Sequence, residues 1–84
     1  RAQDAVSSIR SYRQHAERQR DQVMTKAQHM LAAGKPPKEV LQFVANTLTN
    51  KLTHVPSVRI REAAETGDVE LLQAALHVFN LEKD

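Results

Sequence analysis

Histidine, acidic and serine side chains are the residues of this sequence that could carry chemistry. Asp68 and Glu70 fit the first turn of a helix better than an acid–base pair. Ser7 and Ser8 lack the glycine-flanked turn of a nucleophilic serine. Metal sites on helices pair ligands one turn apart. None of the four histidines has an acidic residue at that spacing; they are His15, His29, His54 and His77. We therefore expect no catalytic, cofactor-binding or metal site within these residues.

Basic residues are concentrated in the first part of the chain. Residues 1–35 hold seven basic and three acidic groups, whereas residues 36–84 hold five basic and seven acidic groups. A basic segment is typical of nucleic-acid contact, or of a solvated helix face with pairing inside the chain. Base stacking has few side chains to use, because the sequence holds one Tyr, two Phe and no Trp. The candidates for contact with an RNA backbone are Arg10, Arg13, Arg18 and Arg20.

The length and composition of the chain limit what it can do alone. With 84 residues and no cysteine, it has room for one small domain and lacks a disulfide framework or a catalytic thiol. No apolar run approaches the length of a membrane span, and no secretory signal is present, so we expect a cytoplasmic protein without membrane contact. The first residue is not Met, and we expect a piece of a longer protein.

Glycine and proline divide the sequence into four predicted helices, and no stretch alternates as a strand does. Gly34 ends the first helix, Pro56 the second and Gly67 the third, while Ser57 and Asp68 act as caps for the third and fourth. We expect His54, near the end of the second helix, to cap that helix or to interact favourably with its dipole. We predict an all-α fold in which a long N-terminal helix precedes three shorter ones: 4–33, 37–54, 57–66 and 69–79.

The first predicted helix carries a heptad seam whose members alternate between apolar and small or cationic side chains. About 30 helical residues span roughly 45 Å, far more than the radius of gyration of about 12 Å expected for so small a domain. We therefore expect this helix to extend beyond its own domain and to need a partner. The seam consists of Val6, Ile9, Arg13, Ala16, Arg20, Val23, Ala27 and Met30.

Apolar residues on the later helices exceed what one neighbouring helix can cover. The fourth predicted helix is apolar around more than half of its circumference. A subunit interface or contact with the long helix explains this surplus, and simple internal burial is the alternative. The candidate residues for such a contact are Val23, Met30, Leu41, Val44, Leu48, Leu52, Leu72, Leu76 and Phe79.

Three sequence blocks resemble the C-terminal dimerisation domain of glutamyl-tRNA reductase, in the proteobacterial branch of that family. Residues 48–57, LTNKLTHVPS, are similar to the family signature L-x-N-K-L-x-H-x-P-[ST]. Residues 9–17, IRSYRQHAE, resemble the stretch where the long spinal helix of the family enters this domain. Thr53 stands where an aliphatic residue is more usual, and Ser7-Ser8 where many members carry a proline. The last similarities are Ile60-Arg61, Gly67-Asp68 and Leu81-Glu82.

The resemblance implies a role in an enzyme whose chemistry takes place elsewhere. Members of the family use NADPH to reduce glutamyl-tRNA to glutamate-1-semialdehyde for tetrapyrrole biosynthesis, through a cysteine thioester in an N-terminal domain. Residues 1–33 would then be the end of the spinal helix and residues 34–84 the other helices of one dimerisation domain. The resemblance also implies a helical bundle completed by dimerisation, with the candidate contact residues named above as its interface. The implied partners are a second copy, glutamyl-tRNA and the aminomutase that acts next. A basic RNA-binding module that acts on tRNA is the alternative function.

Overall fold

Three α-helices and no β-strand make up residues 2–83, which are the residues described by the computed structural model. The helices are α1 (Ala2–Ala32), α2 (Pro37–Thr66) and α3 (Val69–Val78). The all-α prediction is confirmed. Arg1 and Asp84, which contribute to the charge of the sequence, lie outside the described residues. Over residues 2–83, no helix is both long enough and apolar enough to cross a membrane.

Pro56 lies inside α2, so the predicted break at this residue is wrong. The predicted second and third helices are one helix of 30 residues, Ser57 is not a cap, and His54 is not near a helix end. A proline inside a helix removes one hydrogen bond, here to the carbonyl of Leu52, but its φ is compatible with the helix. None of residues 53–55, directly before Pro56, is a glycine or asparagine that could provide the alternative bonds of a helix end, and the helix therefore continues.

The three helices share one kind of C-terminal cap. Gly34 and Gly67 have φ values of +87° and +72°, and Asn80 has a φ of +57°. These left-handed residues allow the Schellman pattern, in which two later N–H groups reach back to carbonyls of the last turn. The predicted stops at Gly34 and Gly67 are confirmed. The longer-range bonds join Lys35 N–H to Met30 C=O at 3.0 Å, Asp68 N–H to Ala63 C=O at 2.8 Å, and Leu81 N–H to Leu76 C=O at 2.7 Å.

The helix starts also follow local chemistry. A carboxylate oxygen of Asp68 accepts a hydrogen bond from the backbone N–H of Leu71 at 3.0 Å, which confirms the predicted cap of α3. α2 begins at Pro37, where a missing N–H does no harm because the first helical N–H groups have no partner within the helix. Residues 33–36 therefore form a short connection between α1 and α2.

The chain forms two compact units, of which the first ends at Leu52 and the second begins at Thr53. The first unit contains α1 and the first part of α2, and its buried side chains are Val23, Ala27 and Val40, which are 2–4% exposed. The second unit contains the rest of α2 and α3, and its buried side chain is Ala63 at 3% exposure. None of the described polar or charged residues is buried. Both cores are small, so little apolar surface is removed from water inside each unit.

Replacing Pro56 with alanine should stabilise the chain. The new N–H can donate to the Leu52 carbonyl, and we expect the free energy of unfolding to rise by about 1–3 kcal/mol. Urea unfolding at fixed protein concentration measures the change. Pro37→Ala is the control, with an expected change within about 0.5 kcal/mol because this position begins the helix. A loss of stability in Pro56→Ala would mean that the half-buried ring contributes more by packing than the bond restores.

Asp68→Ala should loosen α3 by removing the oxygen that accepts the Leu71 N–H. The expected loss is about 0.5–2 kcal/mol in the free energy of unfolding, measured by the same urea titration. Asp68→Asn is the matched variant, because its side-chain oxygen can still accept this bond, and it should keep most of the stability. Equal losses in the two variants would contradict a capping role.

Candidate association surfaces

Large apolar side chains are exposed on all three helices, although such residues are usually the most buried in a folded protein. The exposed fraction reaches 65% for Ile9 on α1, 69% for Leu41 on α2 and 74% for Val78 on α3. Single exposed apolar residues need no explanation, but groups of them mark sites of association. Two such surfaces stand out, one in each compact unit.

The first surface is a groove between α1 and α2 in the first unit. It has a volume of about 260 Å³ and consists of apolar side chains between charged ones. Cofactor and drug-like ligand sites are commonly about 300–1,000 Å³ and enclose most of the ligand, so this groove is better suited to side chains of another helix. We call it the α1–α2 groove, and its lining residues are Arg13, Ala16, Glu17, Arg20, Leu48 and Leu52.

Two arginines of the α1–α2 groove retain most of their surface for contact with a partner. The Arg13 side chain is 80% exposed and its Nε lies 3.7 Å from a carboxylate oxygen of Glu17. The Arg20 side chain is 54% exposed and lies 3.0 Å from a carboxylate oxygen of Asp21. Exposed pairs of this kind contribute about 0–1 kcal/mol, so they are readily exchanged for stronger partners. The expected pairing inside the chain is thus present at two of the four arginines proposed for RNA contact.

The second surface lies on α3, none of whose residues is buried. Leu71, Ala74 and Val78 follow the i, i+3, i+7 spacing of one helix stripe, and all three are exposed. Leu72 and Ala75, which are half-buried, mark the side of α3 that is covered. We call the exposed stripe the α3 flank. The interface residues expected from the sequence do not include Leu71 and Val78, and the signal that could have identified them is that this helix is apolar around more than half of its circumference.

The positions predicted for a dimer interface differ in how much surface they still offer. Val23 is 2% exposed and belongs to the core of the first unit, so it cannot serve as an exposed contact here. Leu41 at 69%, Leu76 at 38% and Phe79 at 41% are exposed. The half-buried members are Met30, Val44, Leu48, Leu52 and Leu72. The structure therefore places Leu48 and Leu52 together in the α1–α2 groove and leaves the α3 members in the other unit.

The heptad seam of α1 is covered over only part of its length. Residues 3–15 are all exposed, including Val6 at 55% and Ile9 at 65%, whereas Val23 and Ala27 farther along the seam are buried. Lys26 on α1 lies over the ring of Phe43 on α2, 5.5 Å from its centroid, and adds a cation–π contact to the first unit.

Arg10 and Arg18 are exposed on α1, as a contact with RNA would require. Exposure alone does not assign them a partner.

Within residues 2–83, no group of three histidine and acidic side chains is placed so that it could hold a metal ion. His77 contacts Glu82, and this pair ties the residues after α3 to its last turn. An all-α chain with little core and with two exposed apolar surfaces has the features of a helical association module.

Comparison with known proteins gives the family of this module. The family model described as "Glutamyl-tRNAGlu reductase, dimerisation domain" matches residues 1–81, and the chain belongs to this family. The resemblance based on the three sequence blocks is thereby confirmed.

Curated relatives carry the same name. The chain is 46% identical over 82 residues to the glutamyl-tRNA reductase of Nitrosococcus oceani. The aligned region covers 98% of the chain and 20% of that protein. It is 40% identical over 87 residues to the glutamyl-tRNA reductase of Alkalilimnicola ehrlichii. Here the aligned region covers 100% of the chain and 20% of that protein. The chain thus spans about a fifth of the length of these relatives. No solved structure matches the chain significantly.

Gln19→Met should stabilise the first unit. The side-chain oxygen of Gln19 is buried without a hydrogen-bond partner, and such a buried acceptor costs about 1–3 kcal/mol. Methionine has a similar length and no polar group, so we expect the free energy of unfolding to rise by about 1 kcal/mol. Gln22→Met, at an exposed position of the same helix, should change it by less than about 0.5 kcal/mol. A loss of stability in Gln19→Met alone would show that the amide is needed.

Proposed function

We propose that this chain joins two copies of a glutamyl-tRNA reductase into a homodimer. The observation that carries the proposal is the apolar surface left uncovered on α2 and α3, beside cores of only a few small side chains. A second copy supplies apolar surface of the same amount and removes both from water. The family description, a dimerisation domain, supports the same role, and the names of the relatives support the identity of the enzyme.

The proposed interface combines accessible apolar residues of α2 and α3 with Met30 at the end of α1 and Phe79 directly after α3. Its members are Met30, Leu41, Val44, Leu48, Leu52, Leu72, Leu76 and Phe79. Val23 is left out because the chain itself covers it. In this proposal residues 1–33 are the end of a long helical arm, and residues 34–84 are the other helices of the same dimerisation domain.

For the whole protein, we propose the activity named in the relatives. It would reduce glutamyl-tRNA with NADPH to glutamate-1-semialdehyde and supply tetrapyrrole biosynthesis from the cytoplasm. NADPH does not fit the residues described here, because the α1–α2 groove is small and no glycine-rich turn precedes a helix. In this proposal other parts of the parent enzyme bind the cofactor and the reacting ester. This chain joins two copies of those parts in a fixed arrangement.

An RNA-binding module is the less favoured alternative. Arg13 and Arg20 are each close to a carboxylate, and Tyr12 is the one aromatic side chain that α1 offers for base stacking. Contact of Arg10, Arg13, Arg18 and Arg20 with tRNA stays a prediction. No observation on the described residues supports an aminomutase partner, and it stays outside the proposal.

Analytical ultracentrifugation of the 84-residue chain tests the proposed dimer. We expect a dimer at tens of micromolar, and Leu48→Asp combined with Leu52→Asp should convert it to a monomer because a carboxylate would enter each apolar contact. Leu41→Asp serves as a second variant. Leu41 is 69% exposed in the single chain, so this change should weaken the dimer without loss of helical circular dichroism.

A chain that stays monomeric at tens of micromolar would contradict the proposal. A dimer that survives Leu48→Asp/Leu52→Asp would place the interface elsewhere on the chain.

A further inference from the structure

The two compact units carry opposite net charge. Residues 1–52 hold nine basic and four acidic groups, whereas residues 53–84 hold three basic and six acidic groups. Like units placed against each other in a dimer would repel, and unlike units would attract, at separations below the Debye length of about 8 Å at physiological salt. The charge distribution therefore favours contact between the first unit of one copy and the second unit of the other.

Each unit also has one surface suited to such a contact. The α1–α2 groove is lined by the apolar side chains of Ala16, Leu48 and Leu52, by two exposed arginines and by the carboxylate of Glu17 next to Arg13. The α3 flank has an apolar stripe, and Glu70 lies one residue before it and is exposed. A groove in which two arginines outnumber one carboxylate and an apolar helix stripe beside a carboxylate complement each other in charge and polarity.

We propose that the α3 flank of each copy lies in the α1–α2 groove of the other copy, with Glu70 beside Arg13 and Arg20. This inference rests on the proposed homodimer and adds the α3 flank, whose residues are not among the interface members named above, to the surfaces that form it. In a twofold dimer the contact occurs twice, since each copy contributes one groove and one flank. The apolar stripe supplies most of the affinity. The contact of Glu70 with the arginines favours this arrangement over an α3-to-α3 contact, in which Glu70 would face the acidic second unit of its partner.

Both arginines have the freedom that the contact requires. Arg13 and Arg20 are seven residues apart on α1, which places them about 10 Å apart along the same side of the helix. Their carboxylate neighbours within the chain are exposed, so the existing pairs are weak. A carboxylate of the partner that reaches the partly covered groove is less screened by water and gains more from each arginine.

Charge reversal across the proposed contact provides the test, with the dimer dissociation constant measured by sedimentation equilibrium on the full chain. Arg20→Glu and Glu70→Arg should each raise this constant at least about tenfold, since 1.4 kcal/mol corresponds to tenfold and each contact occurs twice. The combination of both changes should lower this constant below the value of either single variant, but not to the original value, because Arg13 then faces the introduced positive charge.

Arg18→Glu is the matched control. It makes the same charge change on an exposed residue of the same helix, next to Glu17 as Arg20 is next to Asp21, but outside the residues that line the groove. We expect less than a threefold change. Circular dichroism of each variant verifies that the helices are retained.

The outcomes separate this inference from the proposed function. Weakening by each single reversal and partial recovery in the double variant support the inference. A dimer that Arg20→Glu weakens no more than Arg18→Glu overturns the inference and leaves the homodimer in place. The inference also fails if Val78→Asp disrupts the dimer while the charge reversals do not, because the flanks then pair with each other. A chain that is monomeric before any substitution overturns the proposed function itself.

Discussion

Two helices that pack along one side can cover only one stripe of each, and this geometric constraint governs the whole molecule. In the first unit the contact between α1 and α2 buries Val23, Ala27 and Val40, and in the second unit the buried residue is Ala63. These side chains are small, so the helices remain close but remove little surface from water. Several larger apolar residues, among them Ile9, Leu41 and Leu76, stay exposed, and others are only half-buried. The need for a further layer of helix follows directly from this distribution.

Local chemistry made the ends of the helices predictable. Gly34 and Gly67 have the positive φ that a Schellman cap requires, and the Asp68 side chain accepts the bond expected of a cap. Asn80 performs the same function with a non-glycine residue, which a search for glycine misses. Pro56 shows the limit of such reasoning. A proline weakens a helix by a finite amount, and only the absence of a competing cap decides whether the helix continues.

Tertiary placement was less predictable than secondary structure. The heptad seam predicts that another helix buries Val23. Spacing alone cannot tell whether that helix is α2 of the same chain or a helix of a partner. The same spacing applies to Ile9, which remains 65% exposed. The α1–α2 groove was also beyond the sequence, because it joins Arg13 and Arg20 to Leu48 and Leu52, more than 25 residues away. Only the antiparallel return of α2 brings these residues to one surface.

If a second copy completes the fold, then folding and association are linked, and stability must depend on protein concentration. Thermal unfolding of the chain, followed by circular dichroism over a hundredfold range of concentration, measures this link directly. Our account predicts that the midpoint temperature rises by several degrees from the most dilute to the most concentrated sample. A midpoint that stays constant over that range would contradict it, because the single chain would then be as stable as it ever becomes.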